Sequence, residues 1–361
     1  MKKLILYFLC LLFLQQLTAP IVRAEDKIKF KGDFRYRVEA IDLEDQDSRY
    51  RHRIRLRFGL TAQVNDEISV IFQMSSGSTD PVSNNQSLDD AFSTKNLGIN
   101  LAYARWEPSK LQGLSLMAGK MDNPFMSVGE SELIWDPDLT LEGVAGSVEH
   151  QLQEIGLFFN AGFFWIEERS SDDDSYFIGT QGGLKFDLAD TPGYIILGGG
   201  YIDYVNAQGF RPFYEADESA GNSLTDEGMY REDFNEVDIF AEAGTKIRNT
   251  PVAVFTDFGT NVAADEDNIG WLMGITAGKT KDPGSWNFRY QYKYMEKDVV
   301  VGRFTDSDFI GGGTDGKGHE INFSFQAMKA TTLAFTLFLN KYSLEDEIDF
   351  TRFQGDIKFK F

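Results

Sequence analysis

One cysteine, nine prolines and three histidines are all that 361 residues provide, and each scarcity excludes something. Cys10 sits in an apolar leader, so no disulfide framework supports the rest of the chain. His52, His150 and His319 stand far apart, which leaves no nucleophile with a histidine base and an orienting partner. No apolar run of about 18 residues or more follows the leader, so a helical membrane protein is excluded. Positive charge is also short. There are 35 Lys and Arg against 56 Asp and Glu, and a formal charge of −21 disfavours nucleic acid and polybasic membrane contact. Glycine (34) and phenylalanine (31) are plentiful, a balance that suits many strands.

The amino terminus, MKKLILYFLCLLFLQQLTAPIVRA, has two lysines, an apolar run from Leu4 to about Leu17, and Val22 and Ala24 where a signal peptidase needs small residues. It reads as a signal peptide over 1–24, cut after Ala24. Lys2, Lys3 and Arg23 leave with it, so residues 25–361 are more acidic still. Those residues show no linker and no low-complexity tract, and they read as one domain.

Period-two alternation of apolar and polar residues runs through that domain. It marks segments at about 28–40, 50–63, 67–76, 97–106, 113–121, 142–150, 154–166, 176–187, 193–205, 236–247, 251–261, 269–280, 285–297, 319–328, 332–341 and 350–361. Sixteen is an even number. The links between them alternate as well, short (VND, QLQ, RNT, KAT) and then long and polar (42–49, 77–96, 122–141, 167–175, 206–235, 262–268, 298–318, 342–349). The long set holds about 35 of the 56 acidic residues but only about 7 of the 35 basic ones. Such sorting predicts an all-β fold: a transmembrane antiparallel β-barrel of about sixteen strands, with short periplasmic turns and long extracellular loops. A secreted sandwich or propeller would need polar or mixed outward faces. The rows Ile155, Leu157, Phe159, Ala161, Phe163, Trp165 and Leu333, Phe335, Leu337, Leu339 suit lipid better.

The stretch RYRHRIRLRFGLTA, 49–62, carries the functional signal. Arg51, Arg53, Arg55 and Arg57 share one face, spaced by roughly 6.6–6.8 Å, while Ile54, Leu56 and Phe58 hold the other. Arginine on the lipid face costs about 2–4 kcal/mol at mid-membrane, so these side chains are expected to point into an aqueous lumen. The first strand adds Arg35 and Arg37 with Asp33 and Glu39, and the last adds Arg352, Asp356 and Lys358. Closure would join them as a pore-lining basic wall of Arg35, Arg37, Arg53, Arg55, Arg57 and Lys358. Loop 122–141 carries Glu130, Glu132, Asp136 and Asp138 without a Lys or Arg. Folded inward, it would set constriction-loop acids against the arginines. Internal salt bridging with no role in passage is the plainer account of the wall, and a solvated external loop that of the acids.

AYARWEPSKLQGLSLMAGKMDNPF (102–125) and ELIWDPDLTLEGVAGS (132–147) resemble the putative-porin family of Gram-negative outer membranes, above all in GKMDNPF and WDPDLTLEG. The resemblance implies a trimeric, water-filled diffusion channel in the cell outer membrane, with its third external loop folded inward and no cofactor. It extends distantly to phosphate-selective porins, though their lysine-rich loop is replaced here by acidic ones. Phe361 resembles the terminal aromatic that delivers barrels to the barrel assembly machinery, and a girdle aromatic is the compatible alternative. GGGTDGKG (311–318) lacks the Ser or Thr of a phosphate loop and reads as a flexible external loop. DSD at 306 and DED at 265 lack the remaining ligands of a calcium loop. The expectation is therefore a non-enzymatic porin for passive diffusion of small hydrophilic solutes and ions. The alternatives are a channel selective for anions or sugars, and a plugged adhesin or structural barrel.

Overall fold

The computed structural model describes residues 27–188 and 192–361. The leader expected over 1–24, with Cys10, lies outside them. Sixteen membrane strands follow in chain order: β1 (Ile28–Leu43), β2 (Arg49–Gln63), β3 (Ile68–Ser76), β4 (Leu97–Trp106), β5 (Leu114–Asp122), β6 (Thr140–Leu152), β7 (Ile155–Glu167) and β8 (Ser175–Leu188). The second half contains β9 (Gly193–Val205), β10 (Asn235–Ile247), β11 (Thr250–Asn261), β12 (Ile269–Gly278), β13 (Trp286–Met295), β14 (Gly316–Met328), β15 (Thr331–Tyr342) and β16 (Ile348–Lys360). Each overlaps one alternating segment of the sequence. The start of β14 falls at Gly316 rather than 319, because glycines 316 and 318 show no alternation to read.

Every strand pairs antiparallel with its chain neighbours, and β1 pairs with β16 from Asp33↔Lys360 to Leu43↔Phe350. The sheet therefore closes on itself. Closure is what hydrocarbon demands, since an unpaired backbone group there costs several kcal/mol. The ladder extends to the last residue: Gly32 N donates to Phe361 O at 2.8 Å, and Phe361 N donates to Gly32 O at 3.0 Å. Glycine is required at position 32. A Cβ there would lie 2.5 Å from the Phe361 ring and 2.8 Å from Arg57 O.

The outer surface carries Leu56, Phe58, Ile99, Phe159, Trp165, Phe335, Phe353 and Ile357, all exposed. The packed core lies inside the barrel, against one side. From the wall come Leu101, Tyr103, Met121, Leu141, Phe164, Phe177 and Tyr204. Inward loops meet them with Phe125 and Trp135 (loop 122–141), Phe213, Tyr230 and Phe234 (loop 206–235) and Phe304 (loop 298–318). The rings form a continuous chain: Trp135–Phe177 at 5.4 Å, Phe177–Tyr204 at 5.3 Å, Tyr204–Phe304 at 6.4 Å and Phe304–Phe213 at 5.9 Å.

The expectation of external long loops needs correction, because parts of loops 77–96, 206–235 and 298–318 turn inward. Loop 298–318, read as external, is tucked into the lumen, with Val299, Val300, Val301, Thr305, Asp306 and Phe309 buried. Its apolar residues join the ring cluster, and its aspartates find cations on the wall. Gly311, Gly312 and Gly313, all at positive φ, supply the return turn.

Gly32→Val is expected to weaken closure by about 1–3 kcal/mol or more through overpacking at the seam. The refolded fraction should fall, and the compact, heat-modifiable electrophoretic form should unfold at lower temperature. An unchanged midpoint would show that the β1–β16 seam tolerates the added bulk.

Candidate functional site

Strands β1, β2 and β16 hold the densest charge in the barrel. Their register sets Arg35 beside Arg55, Arg37 beside Arg53 and Glu39 beside Arg51 on one flank of β1, and Arg35 beside Lys358 and Arg37 beside Asp356 on the other. All take the inward parity. Arg37 Nε donates to Asp356 at 2.7 Å and Arg57 Nε to Asp33 at 2.8 Å. Arg51 lies 2.5 Å from Glu39, which also accepts from Arg352 and, at 3.1 Å, from Gln354. Lys358 lies 3.5 Å from Asp356.

Three loops face this wall. From loop 122–141, Asp138 reaches Arg55 at 3.3 Å and Arg57 at 3.6 Å. From loop 298–318, Asp308 lies 3.1 Å from Arg37 and 2.7 Å from Arg352. From loop 77–96 come neutral groups: Asn85 accepts from Arg35 at 2.5 Å and Ser83 from Arg53 at 3.3 Å. This loop is held by a two-residue ladder in which Arg53 pairs with Ser87 and Ile54 with Gln86.

The other expected acids make no ion pair with the wall, although Glu130, Glu132 and Asp136 line the same cavity as Arg35, Arg37 and Arg55. Arg289 on β13 donates to the Glu130 carbonyl at 2.9 Å and lies 3.5 Å from that residue's largely exposed carboxylate. Lys293, also on β13, donates to the Glu132 carbonyl at 3.2 Å and to Asp306 at 2.6 Å. Asp136 ties the two inward loops together. Its N–H donates to Phe304 O, and its carboxylate accepts from Ser307 N, both at 2.9 Å. Sequence reading passed over Arg289, Lys293, Ser83, Asn85 and Asp308. The alternation in SWNFRYQYKY could have revealed the first two, because Arg289, Gln291 and Lys293 fall opposite its aromatic row.

The loop carboxyls divide by their neighbours. Burial works to raise Asp138, but Arg55, Arg57 and Arg35 outweigh it and hold the group below the usual range. Asp308 follows the same logic, with Arg352 and Arg37 holding it far down. Burial, then the carboxylates of Asp306 and Asp136, push Glu132 well above its ordinary value. Asp136 is raised by burial and by Asp138.

Several cavities adjoin the wall among the described residues, and two of them border each other. One of about 440 Å³ at the long-loop end is lined by Arg49, Arg51, Arg53, Ser83 and Arg352. Another of about 870 Å³ at the short-turn end is lined by Arg35, Arg37, Arg55, Asn85, Asp138 and Lys358. Ser307 and Asp308 line both, so the two cavities meet at these residues, a boundary termed the neck. The histidines lie away from it. His52 accepts or donates at Tyr36 OH (2.7 Å) and His319 at Tyr290 OH (2.9 Å), on the outward parity.

A closed sixteen-stranded barrel with polar cavities along a charged inner wall defines an outer-membrane channel of the porin class. The chain belongs to the family described as "Putative porin", whose profile matches residues 43–236 and 220–361. No curated protein matches the chain. Among solved structures, Pseudomonas putida OprB at high pH is 12% identical, with a TM-score of 0.62 over 93% of this chain and 95% of its own. Salmonella typhi OmpF in complex with daunomycin is 11% identical, with a TM-score of 0.55 over 92% and 97%. A loop L8 deletion mutant of OmpT, an outer membrane protein of Vibrio cholerae, is 12% identical, with a TM-score of 0.52 over 92% and 99%. At these identities the likeness establishes the fold, and the family match establishes the porin.

Glu132 supplies a test by pH. Its folded-state pKa lies above the ordinary 4.5, so its ionisation opposes folding, and stability falls as pH rises from 4.5 through the folded value. Glu132→Gln should therefore stabilise the barrel at about pH 7, because the amide carries no charge for burial, Asp306 and Asp136 to penalise. The gain should vanish near pH 4, where the wild-type carboxyl is already protonated. Thermal midpoints of both proteins across that range check this, and a gain independent of pH would contradict it.

Proposed function

We propose that small hydrophilic solutes and ions cross by passive diffusion along the basic wall, between Arg35, Arg37, Arg53, Arg55, Arg57 and Lys358 on one side and the inward loops on the other. The observation that carries this reading is the division of the lumen. Aromatic packing is concentrated on the β4–β9 side, around a cavity of about 540 Å³, and continues through Phe240 and Phe255 to β10 and β11, while two more polar cavities adjoin β1, β2 and β16. All four loop acids line the larger cavity, and Asp138 alone pairs with wall arginines. The carbonyls of Glu130 and Glu132 and the carboxylate of Asp136 also seat loop 122–141 against β13 and loop 298–318. The driving force is the solute gradient, and no bond is made or broken.

The chain is exported by the leader over 1–24, is assembled through the barrel machinery that reads Phe361, and sits in outer-membrane lipid as a homotrimer. Support for the trimer comes from the family resemblance and from the exposed segment carrying Leu88 and Phe92, which starts beside β2, where Leu88 N donates to His52 O. A plugged structural barrel is the competing account, and it predicts negligible conductance.

Planar-bilayer recording on refolded protein tests the path. Arg53→Glu with Arg55→Glu should shift the reversal potential in a salt gradient towards cations, with conductance retained. A conducting double variant of unchanged selectivity would remove both residues from the path.

A further inference from the structure

The cations of the wall are not equally neutralised. Arg35, Arg37, Arg51, Arg53, Arg55, Arg57, Arg352 and Lys358 meet five carboxylates within 4.0 Å, those of Asp33, Glu39, Asp138, Asp308 and Asp356. Most of the eight have a carboxylate oxygen near 3 Å or closer. Arg35 and Arg53 do not. Their nearest carboxylates are Asp356 at 3.9 Å and Glu39 at 4.0 Å. Their short bonds go to uncharged groups, Asn85 and Ser83.

These two arginines hold the neck. Arg53 lines the long-loop cavity and Arg35 the short-turn cavity, and they are diagonal neighbours across the β1–β2 ladder. Each keeps an Nε–H with no acceptor, and the adjacent Asn84 has an unpartnered Nδ2, also buried. Spare donors and weakly compensated charge thus converge where the two cavities meet. A buried guanidinium with only a distant counter-ion is costly, and a planar fork of N–H groups is matched by the two oxygens of an oxyanion.

We propose that Arg53 and Arg35, with Ser83 and Asn85 facing them, form a binding subsite for small monovalent carboxylates, handed from the first arginine to the second during passage. This rests on the diffusion path along the wall and adds a substrate class to it. Monovalent charge is favoured because Asp47, Asp80, Glu218 and Asp308 also line the long-loop cavity and repel a dianion more than a monoanion. Release into the second cavity is eased by Asp138, whose carboxylate competes for Arg55 just beyond the neck.

The probe is sodium lactate, added to refolded protein in a planar bilayer carrying potassium chloride current. Lactate should reduce the current with saturation at millimolar concentrations, and inorganic phosphate at neutral pH should do so less. Arg35→Gln and Arg53→Gln should each raise the half-effect concentration by about tenfold or more, the loss of a charge-assisted pair. Arg53→Lys should keep the ion selectivity yet lose most of the lactate effect, because the charge stays and the fork goes. Lys341→Gln at the outer rim should change neither. A lactate effect that merely follows dilution of chloride, or survives both glutamine variants, would overturn the subsite while leaving the porin intact. Stronger inhibition by phosphate would overturn the carboxylate assignment. Absence of any current would instead sink the diffusion path, and calorimetric titration of lactate into the same refolded protein then decides the subsite: saturable heat lost in the double glutamine variant supports it, and no heat refutes it.

Discussion

Hydrocarbon offers a backbone no hydrogen bonds, and from that one constraint the rest of this structure descends. Each strand must be paired on both sides, so the last must find the first. The chain meets this demand down to Phe361, whose backbone is bonded to Gly32. Once the cylinder is closed, side-chain parity has only two destinations, lipid and lumen. A run of four alternating arginines then has only one tolerable direction.

Turning charge inward creates a second problem, because a sixteen-stranded barrel is too wide for its wall residues to fill. The lumen solves it asymmetrically. On the β4–β9 side, aromatic and aliphatic residues of three loops form a core like that of a soluble domain, with ring contacts that tie loops 122–141, 206–235 and 298–318 to one another. On the β1, β2 and β16 side, guanidinium groups meet carboxylates and amides across polar cavities. The apolar half positions the polar half. Asp138 and Asp308 arrive at the arginines because Trp135 and Phe304, a few residues away on the same loops, are anchored in the ring cluster.

Much of this was legible beforehand, and the boundary of legibility is physical. Period-two alternation reports which medium each face meets, so sixteen strands, their parity and the inward arginines of 49–62 could be read directly. Loop paths have no period. Nothing in DNPFMSVGESELIWDPDLTL ranks Asp138 above Glu132 as the residue that meets Arg55, because that depends on where Phe125 and Trp135 pack. Loop 298–318 looked external because its acids and glycines resemble solvent-facing sequence. Its VVV run and two phenylalanines were the opposing signal. The cations of β13 share their strand with an aromatic row that already accounts for its alternation, so only their position opposite that row marks Arg289 and Lys293 in the sequence.

The proposition that the Arg-bearing face is wet and the Phe-bearing face is in lipid can be tested residue by residue, since Cys10 is the one cysteine of the chain and residues 25–361 have none. Single cysteines at Ile54, Arg55, Leu56 and Arg57, introduced into residues 25–361 refolded in liposomes, would be challenged with a membrane-impermeant thiol reagent. Positions 55 and 57 should react quickly, and 54 and 56 should be protected. Reaction at all four positions, or at the even pair alone, would contradict the closed barrel with its inward basic wall.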